Sequence, residues 1–140
     1  MTATTSRPPL HWAADYIGLP YAPPDMDCWG FFRRVQRERF GRDLPPVEID
    51  PVNLLGIARA FRDQPERARW HEVVVPVEGD AVLMAHAKHP SHVGVWIAAD
   101  GGGVLHCERD AGVVFSRPQA LRAAGWSRFA YYRRAACAPN

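Results

Sequence analysis

Hydrophobic and polar positions along this chain change period near its middle. In the first half the spacing is helical. Apolar residues recur at Cys28, Phe31, Phe32 and Val35, the i, i+3, i+4, i+7 stripe of a one-sided helix. Asp27 precedes this stripe and suits an N-cap, since its carboxylate can accept from the unpaired N–H groups of the first turn. Gly41 suits the stop, so the pattern predicts a helix over 28–40. A shorter helix is expected over 10–17 (Leu-His-Trp-Ala-Ala-Asp-Tyr-Ile), ended by the loop Gly18-Leu19-Pro20-Tyr21-Ala22-Pro23-Pro24. A second amphipathic helix is expected over 53–63, on Leu54, Leu55, Ile57, Ala58 and Phe61, with Pro65 stopping it.

From Trp70 the runs are short and rich in β-branched residues. Strands are expected at 73–75, 81–84, 93–97, 104–107, 112–115 and 129–132, with turns at Gly79-Asp80 and at Asp100-Gly101-Gly102-Gly103. A short helix is expected from Pro118 to Ala124. Helices first and strands after imply an α+β fold, an antiparallel sheet packed against the Cys28 helix. Residues 1–9 read as a polar, proline-containing tail expected to be disordered. Residues 10–134 read as one domain and 135–140 as a second tail. At 140 residues one core can form without disulfides or metals.

Composition narrows the function classes. The net charge of +2 is too small to point to nucleic acid. Arg33, Arg34, Arg37 and Arg39 decorate one helix and read as a solvated face. No stretch approaches the length that spans a membrane. The three cysteines, at 28, 107 and 137, are an odd set without framework spacing and read as free thiols of a reducing compartment. The N-terminus lacks the apolar run of a signal peptide, so synthesis in the cytoplasm without an export signal is expected. Any action outside the cell then needs delivery by something else.

Candidate chemistry centres on Cys28. A thiol in the first turn of a helix lies near the positive end of the helix dipole, which favours thiolate. The competing reading is a small apolar residue packed in the core. Two histidines bear on the choice. His92 opens a strand in which His92, Gly94 and Trp96 share one face and Val93, Val95 and Ile97 the other. The glycine beside the imidazole leaves room for something to approach. His106 lies in the next strand, so the two can be cross-strand neighbours. A thiol nucleophile needs a base, and the base needs a third group to hold its ring. Cys28, His92 and His106 can fill those roles, although each histidine alone also suits a structural hydrogen bond. Cys107 should face the core as packing. His86, His89 and His92 are spaced by three, but Pro90 and the β-rich surroundings argue against a helical metal site, and neither metal nor cofactor is expected.

These segments together resemble a known family. Asp27-Cys28-Trp29-Gly30-Phe31 resembles the nucleophile motif of the NlpC-type cell-wall cysteine peptidases, which have a papain-like fold. Gly18-Leu19-Pro20-Tyr21 resembles the segment before that nucleophile, and Gly79-Asp80-Ala81-Val82 a strand start. His92-Val93-Gly94-Val95-Trp96-Ile97 resembles the base strand, and Val104-Leu105-His106 the strand of the third catalytic residue. The matches follow the family's order over residues 12–132. The resemblance implies a cysteine endopeptidase with Cys28 as nucleophile, His92 as general base and acid, and His106 as the orienting residue. Tyr21 and the backbone N–H of Cys28 would bind the oxyanion. The implied substrate is a peptidoglycan stem peptide, cut at a bond between D-glutamate and diaminopimelate.

Two departures stand out. The loop Ala22-Pro23-Pro24-Asp25-Met26 is shorter than the family's, and Trp29 replaces the commoner serine. The tryptophan resembles the subset found in phage tails and gene transfer agents, which makes tail-tip proteins expected partners and a virion or tail-like particle an expected location. The alternatives are a non-catalytic tail-tip component and a thiol acyltransferase or amidase on the same fold.

Overall fold

The computed structural model describes residues 11–44, 70–86 and 92–134. The helix expected over 53–63, His89 and both tails lie outside them. In chain order the elements are a 3₁₀ turn (Trp12–Asp15), α1 (Cys28–Phe40), β1 (Trp70–Val73), β2 (Ala81–Ala85), β3 (His92–Ile97), a 3₁₀ turn (Ala99–Gly101), β4 (Gly103–Glu108), β5 (Gly112–Ser116), α2 (Pro118–Ala123) and β6 (Arg128–Arg134). The six strands form one sheet in the order β1-β6-β2-β3-β4-β5, every neighbouring pair antiparallel. The α+β architecture is the expected one.

Helix α1 starts and stops where its pattern predicts. Asp27 Oδ1 accepts from the Gly30 N–H at 2.7 Å, and Gly41 closes the helix in the left-handed region (φ 65°), where glycine carries no Cβ penalty. Its buried face is Trp29, Phe31, Phe32, Val35 and Gln36. Trp29 therefore joins the core and stacks on Phe32, ring centroids 5.5 Å apart. Cys28 is only part-buried, at the edge of the stripe.

This face packs on Val93, Val95, Ile97, Leu105 and Cys107. The opposite face of the sheet carries Val82, Met84 and Val104, covered by Leu121 of α2. Fully buried Gln36 ties α1 to the sheet, since its side-chain amide donates to the Gly79 carbonyl at 3.0 Å. Asp80 next to it is buried, accepts from the Val77 N–H and pairs with Arg133 at 3.0 Å.

Three expectations need correction. In place of the helix expected over 10–17, the described residues form a single 3₁₀ turn, Trp12–Asp15, because Gly18 turns left-handed (φ 96°) three residues after its end. The strand placed at 73–75 lies earlier. Trp70 is its buried anchor, whereas Val74 and Val75 are 90% and 73% exposed. Pro76 then interrupts the run. The arginine face of α1 is also not purely solvated, since Arg33 Nε donates to the Leu44 carbonyl at 2.8 Å and Arg39 lies over the rings of Trp12 and Tyr16.

Candidate active site

The N-terminus of α1, the start of β3 and the β4–β5 turn converge on a cleft of about 520 Å³. Tyr21, Cys28 and His92 line it, together with His86, Cys107, Glu108, Arg109, Asp110 and Trp126. Of the residues singled out from sequence, Tyr21, Cys28 and His92 thus face one space. His106 lies beneath it with 0% exposure. Its ring meets His92, with His92 Nε2 and His106 Nδ1 2.8 Å apart and the planes nearly perpendicular.

Strand register explains this meeting and refines the cross-strand expectation. Val95 pairs with Leu105, Trp96 with Val104 and Ile97 with Gly103. Continued by one step, that register sets Gly94 opposite His106, so the two histidines are diagonal neighbours rather than directly opposed. Diagonal positions are about 7–8 Å apart at Cα, within reach of two imidazoles if nothing stands between them. Gly94 meets that condition. A Cβ built there would lie 2.4 Å from Val104 Cγ1 and 3.0 Å from His106 Cβ. The room beside the imidazole is therefore filled by the neighbouring strand, and it is not an approach route for a ligand.

His106 has a second partner, since its Nε2 lies 3.0 Å from Ser116 Oγ on β5. Glu108 Oε1 stands 3.6 Å from His106 Nδ1. On its other side, His92 stacks against Trp126 at 5.3 Å, and Trp126 stacks on His86 at 3.7 Å. His86 is held in turn, its Nδ1–H donating to the Gly125 carbonyl at 2.8 Å. Trp126, Ser116 and the charged trio 108–110 were not among the sequence candidates. Trp126 follows α2 and carries no local signal of its partner. Ser116 offered only a polar ending to an apolar strand.

Burial dominates the electrostatics. It pushes His92 well below the usual imidazole range, with the nearby His106 and His86 adding to the effect. Burial alone takes His106 down to about 4. Both rings are therefore neutral at pH 7. The Cys28 thiol is pushed up to about 12. Burial is the main cause and the Asp27 carboxylate adds to it, while the backbone N–H groups of Val93 and Trp29 pull the other way. The expectation that the helix start favours thiolate is thus overturned for this geometry, in which the thiol is held protonated. Asp27 caps the helix and opposes ionisation of its neighbour. Tyr21 is also pushed up, by burial and then by Asp27 and Cys28.

Cys107 is fully buried in the core shared with α1, and its thiol donates to the Met26 carbonyl at 3.3 Å. The shortened loop before Cys28 is closed by two backbone hydrogen bonds between Ala22 and Met26. Among the described residues no three His, Cys, Asp or Glu side chains are grouped to hold a metal, and no helix is long and apolar enough to cross a membrane. His86 lies in the cleft wall, but the His86, His89, His92 series includes a residue outside the description.

Comparison with curated proteins finds no match. A family model does match, over residues 14–131. That span takes in the capped helix bearing Cys28, the β3 start bearing His92 and the whole cleft between them, and on this match the chain belongs to the NlpC/P60 family, whose members are generally cysteine peptidases or amidases.

Proposed function

We propose that the protein is a cysteine endopeptidase that hydrolyses an amide bond of peptidoglycan stem peptides, with Cys28, His92 and His106 as its catalytic set. The observation that carries this reading is the convergence of Cys28 and His92 on one cleft, with the His92 ring held from behind by His106 at 2.8 Å. Because Nε2 of His92 is engaged there, Nδ1 is the nitrogen that can receive the thiol proton. Neutral His92 takes that proton as Cys28 Sγ attacks the carbonyl carbon. The tetrahedral intermediate places its oxyanion toward the backbone N–H of Cys28 and the Tyr21 hydroxyl. His92 then gives the proton to the leaving amine, and an acyl-thioester on Cys28 remains. A water molecule, deprotonated by His92, attacks the thioester and releases the acid with the free thiol.

Family membership supports a cell-wall substrate. The bond between D-glutamate and diaminopimelate is the expected target on resemblance. Trp29 and the short 22–26 loop favour a phage-tail or gene-transfer-agent setting, with tail-tip proteins as partners and the particle as the protein's location. Purified muropeptides incubated with the protein and analysed by mass spectrometry test the activity. Cleavage by the wild type and none by Cys28→Ala is the expected result. No cleavage by the wild type, or equal cleavage by both, refutes the enzyme and leaves a tail-tip structural role. Products joined to an added amine in place of water identify an acyltransferase.

A further inference from the structure

The hydrogen-bonded series does not stop at the third residue. His92 Nε2 meets His106 Nδ1 at 2.8 Å, and His106 Nε2 meets Ser116 Oγ at 3.0 Å. Two neutral imidazoles so joined have two ways to place their protons. In one, each ring is protonated on Nε2, so His92 donates to His106 and His106 donates to Ser116. In the other, each ring is protonated on Nδ1, so His106 donates to His92. Only the first leaves His92 Nδ1 with a lone pair for the thiol proton. This requirement rests on the reading of His92 as the base.

We propose that Ser116 is a positioning residue: its hydroxyl oxygen accepts the Nε2 proton of His106, keeps His106 Nδ1 as an acceptor for His92, and so holds His92 in the tautomer that can serve Cys28. The need for such a group follows from the surroundings. His106 is fully buried, so a proton on its Nε2 without an acceptor carries the cost of an unmade buried hydrogen bond. Glu108, 3.6 Å from His106 Nδ1, pulls the other way, since a carboxylate there favours a protonated Nδ1. Ser116 is the acceptor that offsets it. β5 brings it there because Val104 pairs with Ser116 and His106 with Val114, which sets the serine diagonal to His106. The working set is then a relay of four side chains over α1, β3, β4 and β5.

Nitrogen-15 NMR of imidazole-labelled full-length protein tests this without requiring turnover. The expected wild-type spectrum has both His92 and His106 protonated on Nε2. In Ser116→Ala the pair shifts toward Nδ1 protonation, and kcat on muropeptides falls roughly tenfold with KM unchanged, the size of one lost buried hydrogen bond. Ser116→Thr, which keeps the hydroxyl, restores both. The proposal is overturned if wild-type His106 is protonated on Nδ1. It is equally overturned if Ser116→Ala changes rate without changing tautomer, or tautomer without changing rate. If the wild type cleaves no muropeptide, the peptidase reading fails by itself. The spectrum, with the rate of Cys28 alkylation by iodoacetamide in place of kcat, then still decides the role of Ser116.

Discussion

Gly94→Ala puts the diagonal histidine contact under direct strain. The added methyl lies 2.4 Å from Val104 Cγ1 and 3.0 Å from His106 Cβ, with the Leu105 carbonyl oxygen also at 3.0 Å. Ordinary contact begins at 3.4 Å, so Val104 must yield about 1.0 Å and His106 about 0.4 Å. Overpacking of this size in a rigid sheet costs about 1–3 kcal/mol. Val104 is buried against Leu121 and Met84, so the whole of that shift cannot be absorbed by rotation. The functional cost is separate. Displacing His106 by about 0.4 Å lengthens its 2.8 Å contact with His92; on the peptidase reading, where a misplacement of about 1 Å can cost roughly 100-fold in rate, this smaller shift should cost several-fold. The assay pairs urea denaturation with muropeptide turnover for Gly94→Ala and for Gly94→Ala/Val104→Ala. The second change removes the worst clash and leaves the His106 contact. Stability should return toward wild type in the double variant while kcat stays low. Full recovery of kcat, or a single variant as stable and active as wild type, refutes the view that Gly94 exists to let the two imidazoles meet.

Three further outcomes follow from the helix cap and the buried imidazoles. Asp27→Ala removes the 2.7 Å cap on Gly30 and should cost about 1 kcal/mol in urea denaturation; Asp27→Asn keeps a capping oxygen, removes a charge that raises the Cys28 thiol, and should speed Cys28 alkylation by iodoacetamide at pH 8, with a slower or equal rate counting against that electrostatic role. Acid sensitivity is set by the buried imidazoles. The folded-state value of His106, about 4 against an ordinary 6.5, means that the unfolded chain binds more protons below pH 6.5, so stability is full above that pH and is lost as pH falls toward 4. For His106 the loss between pH 7.5 and 4.5 is about 2–3 kcal/mol, with His92 acting in the same direction. Denaturation at both pH values should show a smaller loss for His106→Asn than for wild type, and equal losses would rule out the buried neutral ring as the cause.

Much of this was legible in the residues because local physics carries it. Helix α1 was bounded by its own cap and its left-handed glycine, and β3 by its valines. What local pattern could not supply was tertiary. Trp29 is not a member of the 28, 31, 32, 35 stripe that defined the helix, yet it is core because the sheet lies on that side. The 73–75 valines resemble a strand more than Trp70 does, but an edge strand needs only one buried anchor, and Trp70 is it. His92 and His106 could be chosen as partners, but whether they stood opposed or diagonal depended on register, and the meaning of Gly94 changed with it. Ser116 and Trp126 complete the surroundings of the two rings from β5 and the segment after α2, and no spacing rule links them to β3.

The overturned expectation for Cys28 follows from comparing magnitudes. A charge at a helix end gains about 0.3–1 kcal/mol from the dipole when exposed. Raising a thiol from 9 to about 12 corresponds to about 4 kcal/mol against the thiolate, so burial wins several-fold. The same burial makes both imidazoles poor bases at rest. Burial therefore favours the neutral forms of both the thiol and the imidazole. On the peptidase reading, the ion pair forms only as a carbonyl enters the cleft and the attacking charge passes to the oxyanion. The N–H groups at the helix start then act on the charge that develops during attack, which is where stabilisation raises a rate. The helix dipole keeps a role in this arrangement, but it acts on the oxyanion rather than on the resting sulfur.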